Sequence, residues 1–354
     1  MKKFLVVFAV LVSSLVLFAA CAQDPVVEDA ADPGVVAQDP AATPAVPAAG
    51  GAQHAVIPNV ADIRVGFSIK NMHNPYLIAM NATMDQMAAE MGFQLRTLNA
   101  GGDMIQQQMD VETLIAGGVD VIVMDAQDPI AAIAKSEYIA SHGIPLFLMN
   151  ATVDPASIFV TLVQSNNQGL GIAVGEWVAD QMSDDIVIGL LSGNPGNMVG
   201  WARRTGFITG LLESQLMTMN STNFRIGTQG WGNWSTEVAL EAAETMLVAA
   251  PDINVIFAEN DGMAMGAIIA VENAGRAGEV LIVGVDGMHT ALDEIEAGRY
   301  GATGVNSPIE LVRLTMGIVV DYMTGVNRNI PALINTTPGL VHAGNLEAGR
   351  ASAF

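Results

Sequence analysis

From Ala61 onward, short apolar runs alternate with segments whose apolar residues return every three or four positions. Few folds tolerate that rhythm. Strand candidates are Ile63–Ile69, Phe93–Leu98, Val119–Met124, Ile144–Met149, Ile158–Leu162, Ile186–Leu191, Phe224–Thr228, Val255–Ala258, Leu281–Val285 and Ala302–Val305. Helical patterns follow every run before Ile158 and most of the later ones. Asn74-Pro75 carries the signature of a helix N-cap with Pro in the first turn. Leu77, Met80, Met84, Met87 and Met91 then form one apolar face, and Gly92 is the expected stop. Several strands, such as Val121-Ile122-Val123-Met124, are apolar without alternation, as a strand buried on both faces of a parallel sheet must be. The pattern predicts doubly wound α/β architecture. At 354 residues, with 51% hydrophobic and 14% charged, the chain can supply two cores. The methionines fall mostly on helical faces and are expected to be core filler.

In open parallel sheets, ligands bind beyond the carboxyl ends of the strands. The residues that follow the strands here are polar: Asn74, Asn99, Asp125, Asn150, Ser165, Ser192, Gln229, Glu259-Asn260-Asp261, Asp286 and Asn306. Such groups can donate to and accept from vicinal hydroxyls, so they suit an uncharged polyhydroxylated ligand. The competing explanation is that strand-to-helix loops are rich in Asn and Asp simply because these residues cap helices.

The N-terminus is an address. Met1-Lys2-Lys3 precedes an apolar stretch through Ala20, and Phe18-Ala19-Ala20 leads into Cys21. A charged start, an apolar middle and small residues at a cut site spell a secretory signal over residues 1–20. Cys21 is the only cysteine and sits where the cut falls. The pattern resembles a bacterial lipoprotein lipobox, with Phe18 where Leu is commoner. It implies a lipid (palmitate) at Cys21 and an exported protein held at a membrane face without spanning it, in a periplasm or on the outer cell surface. Residues 21–60 are rich in Ala, Pro and Val and predict a semi-extended tether.

Charge excludes several classes. With 14 basic and 36 acidic residues, the net charge of −22 is wrong for nucleic acid and for anionic lipid surfaces. One cysteine allows neither an intrachain disulfide nor a Cys-based zinc site. No His-Glu-x-x-His, Gly-x-Ser-x-Gly or Walker motif occurs, and the five histidines (His54, His73, His142, His289, His342) are scattered. Gly169-x-Gly171-x-x-x-Gly175 is a poor dinucleotide loop, because it follows Ser165-Asn166-Asn167 rather than a strand end and its spacing is wrong. No enzyme, cofactor or metal site is expected.

From about Asp62 to His342 the chain resembles the type I periplasmic sugar-binding proteins, the ribose-binding branch in particular. Four stretches carry the likeness: Asn74-Pro75-Tyr76, Arg203 through Phe207, Val255 through Ala267, and Val283-Gly284-Val285-Asp286-Gly287. The resemblance implies two Rossmann-like, doubly wound parallel-sheet lobes joined by a three-strand hinge. The first lobe would take residues 61–165 plus 307–334 and the second 166–306 plus 335–354, with crossings near Ser165, Asn306 and Asn335. It also implies a site. Tyr76 matches an aromatic that stacks on a sugar face, Leu77 falls where a second aromatic is often found, and Trp234 faces them from the second lobe. Asn74, Asp125, Asn260, Asp286 and Asn306 match hydroxyl-binding positions, Ser165 lies at a hinge crossing, Asn150 is counted with the ligand residues although it stands where the family has Asp, and Arg203 matches a forked donor. Arg204 is expected at the surface.

One departure bears on the ligand. The ribose-binding pattern has adjacent Asp-Arg at the end of the fourth strand, and here the pair is Asn150-Ala151. Two lost charged hydrogen bonds would cost ~3 to 6 kcal/mol for an unchanged ligand. The expected ligand is therefore a sugar or polyol other than ribose in the family's usual pose, with His73, Trp201 and Trp231 reshaping the pocket. The implied function is the substrate-binding component of an ABC-type importer, a monomer that delivers to a membrane permease. The alternative on the same clamp is a receptor for a chemotaxis or autoinducer signal, whose partner is a chemoreceptor or sensor kinase. A DNA-binding regulator of the lactose-repressor kind shares the fold but needs a helix-turn-helix where this chain has a signal and tether.

Overall fold

The protein is described in a computed structural model over residues 54–182 and 185–354. The expected signal segment, the lipidation site at Cys21 and the tether as far as residue 53 lie outside the described residues.

Strands and helices alternate in chain order. The first half comprises β1 (Arg64–Ile69), α1 (Pro75–Met91), β2 (Gln94–Asn99), α2 (Met104–Ala116), β3 (Val121–Met124), α3 (Ala131–Ser141), β4 (Leu146–Met149), β5 (Thr161–Gln164) and α4 (Asn167–Gln181). There follow β6 (Ile186–Ser192), α5 (Met198–Met219), β7 (Phe224–Trp231), α6 (Thr236–Ala249), β8 (Val255–Ala258), α7 (Asp261–Asn273), β9 (Leu281–Asp286), α8 (His289–Glu296) and β10 (Ala302–Val305). The last elements are α9 (Pro308–Thr324), β11 (Leu333–Asn335), β12 (Gly339–His342) and α10 (Leu346–Arg350). The start of α1 shows why the local sequence suffices. Asn74 is extended and its Oδ1 accepts from Leu77 N at 3.0 Å, Pro75 fills the first turn, and Gly92 closes the helix at φ 86°.

These elements build two six-stranded sheets, ordered β11-β5-β4-β3-β1-β2 and β12-β10-β9-β8-β6-β7. All neighbours are parallel except β12, which runs antiparallel to β10. Central strands β3, β4, β6 and β8 are buried at every residue, whereas the edge strands β2 and β7 have no fully buried residue. Each sheet carries apolar packing on both faces. Met80, Met84 and Val319 pack with Phe67 on one side of the first sheet, and Leu114, Ile139 and Ile122 on the other.

The chain passes between the lobes three times: from β5 into α4, from β10 into α9, and from β11 into β12. Hydrogen bonds that cross between the lobes run through these segments. Asn306 Oδ1 accepts from both Ser165 Oγ and, at 3.2 Å, the Tyr76 hydroxyl.

Three details differ from expectation. The fifth strand begins at Thr161 rather than Ile158, because the backbone N–H of Ile158 is taken by Ser136 Oγ and the first backbone bond to β4 comes from Val160 N to Leu146 O at 2.8 Å. β11 and β12 are short and flanked by Pro331 and Pro338, so no apolar run announced them. The end of the tether is not free. From His54 the chain lies on the first lobe: Ile57 N donates to Met323 O at 2.9 Å, and Arg328 donates to the carbonyls of His54 and Ala55.

Candidate functional site

In the first sheet β1 pairs with β2 on one side and β3 on the other, so the strand order reverses there and a crevice opens beyond their carboxyl ends. Lys70 follows β1 directly and Asp125 follows β3 directly. Asp125 is fully buried. Its Oδ1 accepts from Asn150 Nδ2 at 3.2 Å and faces Lys70 Nζ at 3.4 Å. Its Oδ2 has no hydrogen-bond partner among the described residues. Burial pushes the Asp125 carboxyl above the usual range, opposed by Lys70 and by the Asn150 bond. Asn150 reaches across because it sits at φ 71°, a left-handed conformation that Asn tolerates better than most residues. Gln107 fastens the loop, donating to Asp125 O and accepting from Gln127 N, both at 2.9 Å.

A second cluster runs from the second lobe into the hinge. Arg203 is buried on α5 and donates through Nε to Asn167 Oδ1 at 2.9 Å. Its Nη1 donates to the Glu259 carbonyl at 2.6 Å and to Asp286 Oδ1 at 3.0 Å. The same carboxylate oxygen accepts from Asn306 Nδ2 at 2.9 Å, and Asn306 in turn accepts from Ser165 and Tyr76. Arg203, Asp286, Asn306, Ser165 and Tyr76 thus form one continuous chain of hydrogen bonds. Burial pushes the Asp286 carboxyl up to about 6; Arg203 opposes the shift and Asp261 adds to it. Asp286 is held at φ 147°, a conformation costly for a residue with a Cβ and kept only where the surroundings enforce it. The enforcing group is Asp261, fully buried, which accepts from the backbone of Gly287 and Met288 and from the hydroxyls of Tyr300 and Thr303.

Arg203 owes its place to a close helix crossing. A Cβ on Gly171 or Gly175 of α4 would overlap the carbonyl oxygens of Arg203 or Phe207 on α5. Reciprocally, one on Gly206 or Gly210 of α5 would overlap the carbonyls of Gln168 or Ile172. The glycine spacing that superficially looks like a nucleotide loop is a helix-packing seam.

Trp234 and the preceding Asn233 both have positive φ, 60° and 49°, a rare pair that turns the half-buried indole over Gly193. A Cβ on Gly193 would overlap that ring. Asn260 caps α7, its Oδ1 accepting from Met263 N at 2.9 Å. The neighbouring Glu259 accepts from Gly193 N at 2.7 Å and pairs with Arg204. Arg204 is therefore not the surface residue expected of it. It is half-buried, also donates to Ser192 Oγ at 3.1 Å, and lies 5.9 Å over the Trp231 ring. The reason is Glu259, buried immediately after β8, where an uncompensated carboxylate would be costly.

Of the other candidates, Asn74 has its oxygen committed to capping α1, and Leu77 packs in the first-lobe core. Neither makes a side-chain hydrogen bond to the two clusters among the described residues. Trp201 and Trp231 stay substantially exposed, at 53% and 40%, and His73 is exposed too. Sequence reasoning missed Lys70. The signal was there, since Lys70 is the first polar residue after β1, the same rule that selected Asp125.

A family profile described as a periplasmic binding protein domain matches residues 65–327. The ribose import binding protein of Bacillus subtilis (strain 168) is 27% identical over 268 residues, covering 75% of this chain and 84% of that protein. The D-apiose import binding protein of Paraburkholderia graminis is 29% identical over 233 residues, covering 65% of this chain and 71% of that one. Among solved structures, an ABC transporter periplasmic solute binding protein from Actinobacillus succinogenes 130z with bound D-allose superposes with a TM-score of 0.75 at 27% identity, over 81% of this chain and all of that one.

Proposed function

The chain belongs to the periplasmic binding protein domain family, and from that premise we propose that it is the substrate-binding component of an ABC-type importer, taking a sugar or sugar-like polyol between its lobes by hinge closure. The observation that carries the ligand class is the state of the buried charges. Asp125 stands against Lys70 and Asp286 against Arg203, so the site's charges are compensated internally. Asp125 Oδ2 is left to accept one more hydrogen bond. That combination suits a neutral ligand with several hydroxyls, and Tyr76 and Trp234 offer apolar faces to its C–H groups. The relatives' names point the same way: ribose import, D-apiose import, bound D-allose.

The ligand residues in this reading are Tyr76, Asp125, Asn150, Arg203, Trp234, Asn260 and Asp286, with Lys70 added, and with Ser165 and Asn306 at the hinge. Asn74 and Leu77 serve as the cap and core that fix Tyr76. The lobes divide at 165/166, 306/307 and 334/335. Because few contacts join them outside the crossings, a ligand that touches both shifts the population toward closure. Lys70 supplies a cation beside Asp125 where Asn150-Ala151 offers none. The protein catalyses no reaction. It is exported, held by a lipid at Cys21, acts as a monomer and delivers to a membrane permease; no helix among the described residues is long and apolar enough to cross a membrane.

The test is a thermal-shift screen of the protein against pentoses, hexoses, polyols, nucleosides and amino acids. A ligand at 100-fold over its dissociation constant adds ~2.7 kcal/mol of stability. A shift confined to sugars or polyols is expected. A shift confined to nucleosides or amino acids keeps the clamp and removes the sugar.

A further inference from the structure

Adjacent residues after α10 pack into different lobes. Ala353 is buried in the second-lobe core with Val341 and Leu292, while the ring of Phe354 packs on the first-lobe core. Phe354 meets the ring of Tyr76 edge to face, with centroids 5.7 Å apart and planes at 84°. It is the only aromatic pair among the described residues whose members come from different lobes. The backbone fixes it from the other side: Phe354 O accepts from His289 N at 3.0 Å, just after the Asp286-Gly287-Met288 turn. Phe354 thus links Tyr76, through its ring, to the segment just after Asp286, through its backbone, and it is only half-buried.

We propose that Phe354 is a ligand-contacting, specificity-determining residue of the interlobe cleft, forming with Tyr76 a composite aromatic wall for the C–H face of a sugar or polyol. The proposal rests on the sugar-binding function above and assigns it a residue far from every sequence motif. Leu77 cannot supply that wall, because it has no ring. An edge-to-face pair presents two rings at right angles, which suits a ligand with an apolar face and an apolar edge. Anchorage of Ala353 in the second lobe makes the Phe354 ring move with that lobe, so wall and ligand come together only when the lobes close on Tyr76.

The test uses the full chain and two variants, Phe354→Ala and Phe354→Leu, the second keeping apolar bulk without a ring. Each is titrated calorimetrically with D-ribose, D-allose, D-apiose, xylitol and myo-inositol, and each is melted without ligand to register folding. The expected result is that Phe354→Leu melts close to the unsubstituted protein yet binds the preferred panel member at least tenfold more weakly. Phe354→Ala should lose as much or more, and the ranking of the panel should change. If both variants bind within threefold of the unsubstituted protein, the composite wall is wrong and the sugar-binding function stands. If the unsubstituted protein binds no panel member and no sugar or polyol of the wider thermal-shift screen, both are overturned.

Discussion

Lys70 Nζ stands 3.4 Å from Oδ1 of Asp125, and the second oxygen of that fully buried carboxylate has no hydrogen-bond partner among the described residues. The two groups close the carboxyl ends of β1 and β3, where the strand order reverses. A buried acceptor left open is expensive unless something fills it, commonly by 1 to 3 kcal/mol, more for a charged group (about these magnitudes). The arrangement makes sense as a binding site whose last hydrogen bond comes from a ligand hydroxyl.

Asp125→Asn should therefore separate binding from folding. A hydrogen bond to a charged group is worth roughly 1.5 to 3 kcal/mol, so affinity for the preferred sugar should fall by roughly 10- to 100-fold. The melting temperature without ligand should hold or rise, because the buried charge is removed while Lys70 keeps access to solvent. Calorimetric titration beside a thermal melt checks both; undiminished affinity would remove Asp125 from the site.

Asp286 predicts a pH dependence with opposite signs for folding and binding. Its folded pKa of about 6 lies above the ordinary aspartate value of 3.8. Between those values the folded state keeps a proton that the unfolded state has released, so this group's contribution to stability falls as pH rises through the window, by up to ~3 kcal/mol. Ligand affinity should do the reverse, rising as pH climbs through about 6 and the ionised carboxylate pairs with Arg203 and accepts ligand hydroxyls. Asp286→Asn should flatten both profiles, as read by melts and titrations from about pH 4.5 to 8. A variant with an unchanged affinity profile would assign the dependence to another group.

Much of the framework was legible locally. Asn74 with Pro75 started α1, and the unbroken apolar run Val121–Met124 announced a strand buried on both faces. What escaped was decided at long range. β11 and β12 exist because neighbours β5 and β10 offer them partners, not because their own few residues insist on strand. Arg204 looked like solvent-facing charge until Glu259, 55 residues away, proved to be buried beside it. Arg203, Asp286 and Asn306 could be selected one at a time from strand ends, but only the fold shows them sharing one carboxylate oxygen. Phe354 had no signal at all, since its partner Tyr76 is at the other end of the sequence.

Gly193 and Trp234 make a sharper test of the second-lobe wall. The indole occupies the space that a Cβ on Gly193 would take. Gly193→Ala must displace the ring, the backbone turn at Asn233-Trp234, or both. Affinity should drop by about 2- to 13-fold, on the scale of a lost aromatic contact of roughly 0.5 to 1.5 kcal/mol, and tryptophan emission should shift. Unchanged emission and affinity together would show that the indole has room to spare and does not form the wall.

Two glycines in helix interiors should respond to alanine in opposite directions. Gly175 of α4 lies against the Phe207 carbonyl on α5, where a Cβ would overlap backbone that no rotamer change can move aside. Overpacking of this kind typically costs about 1 to 3 kcal/mol. Gly317 of α9 has nothing within 4 Å of an added Cβ. There, alanine should stabilise by roughly 0.5 to 1 kcal/mol, since it narrows the unfolded chain's freedom and meets no obstacle. Urea unfolding of Gly175→Ala and Gly317→Ala measures both, and the α4–α5 seam adds a further expectation. Because the crossing sets the place of Arg203, Gly175→Ala should also weaken sugar binding, whereas Gly317→Ala should leave it alone. Equal affinities in the two variants would mean that the seam supports the lobe without aiming the arginine.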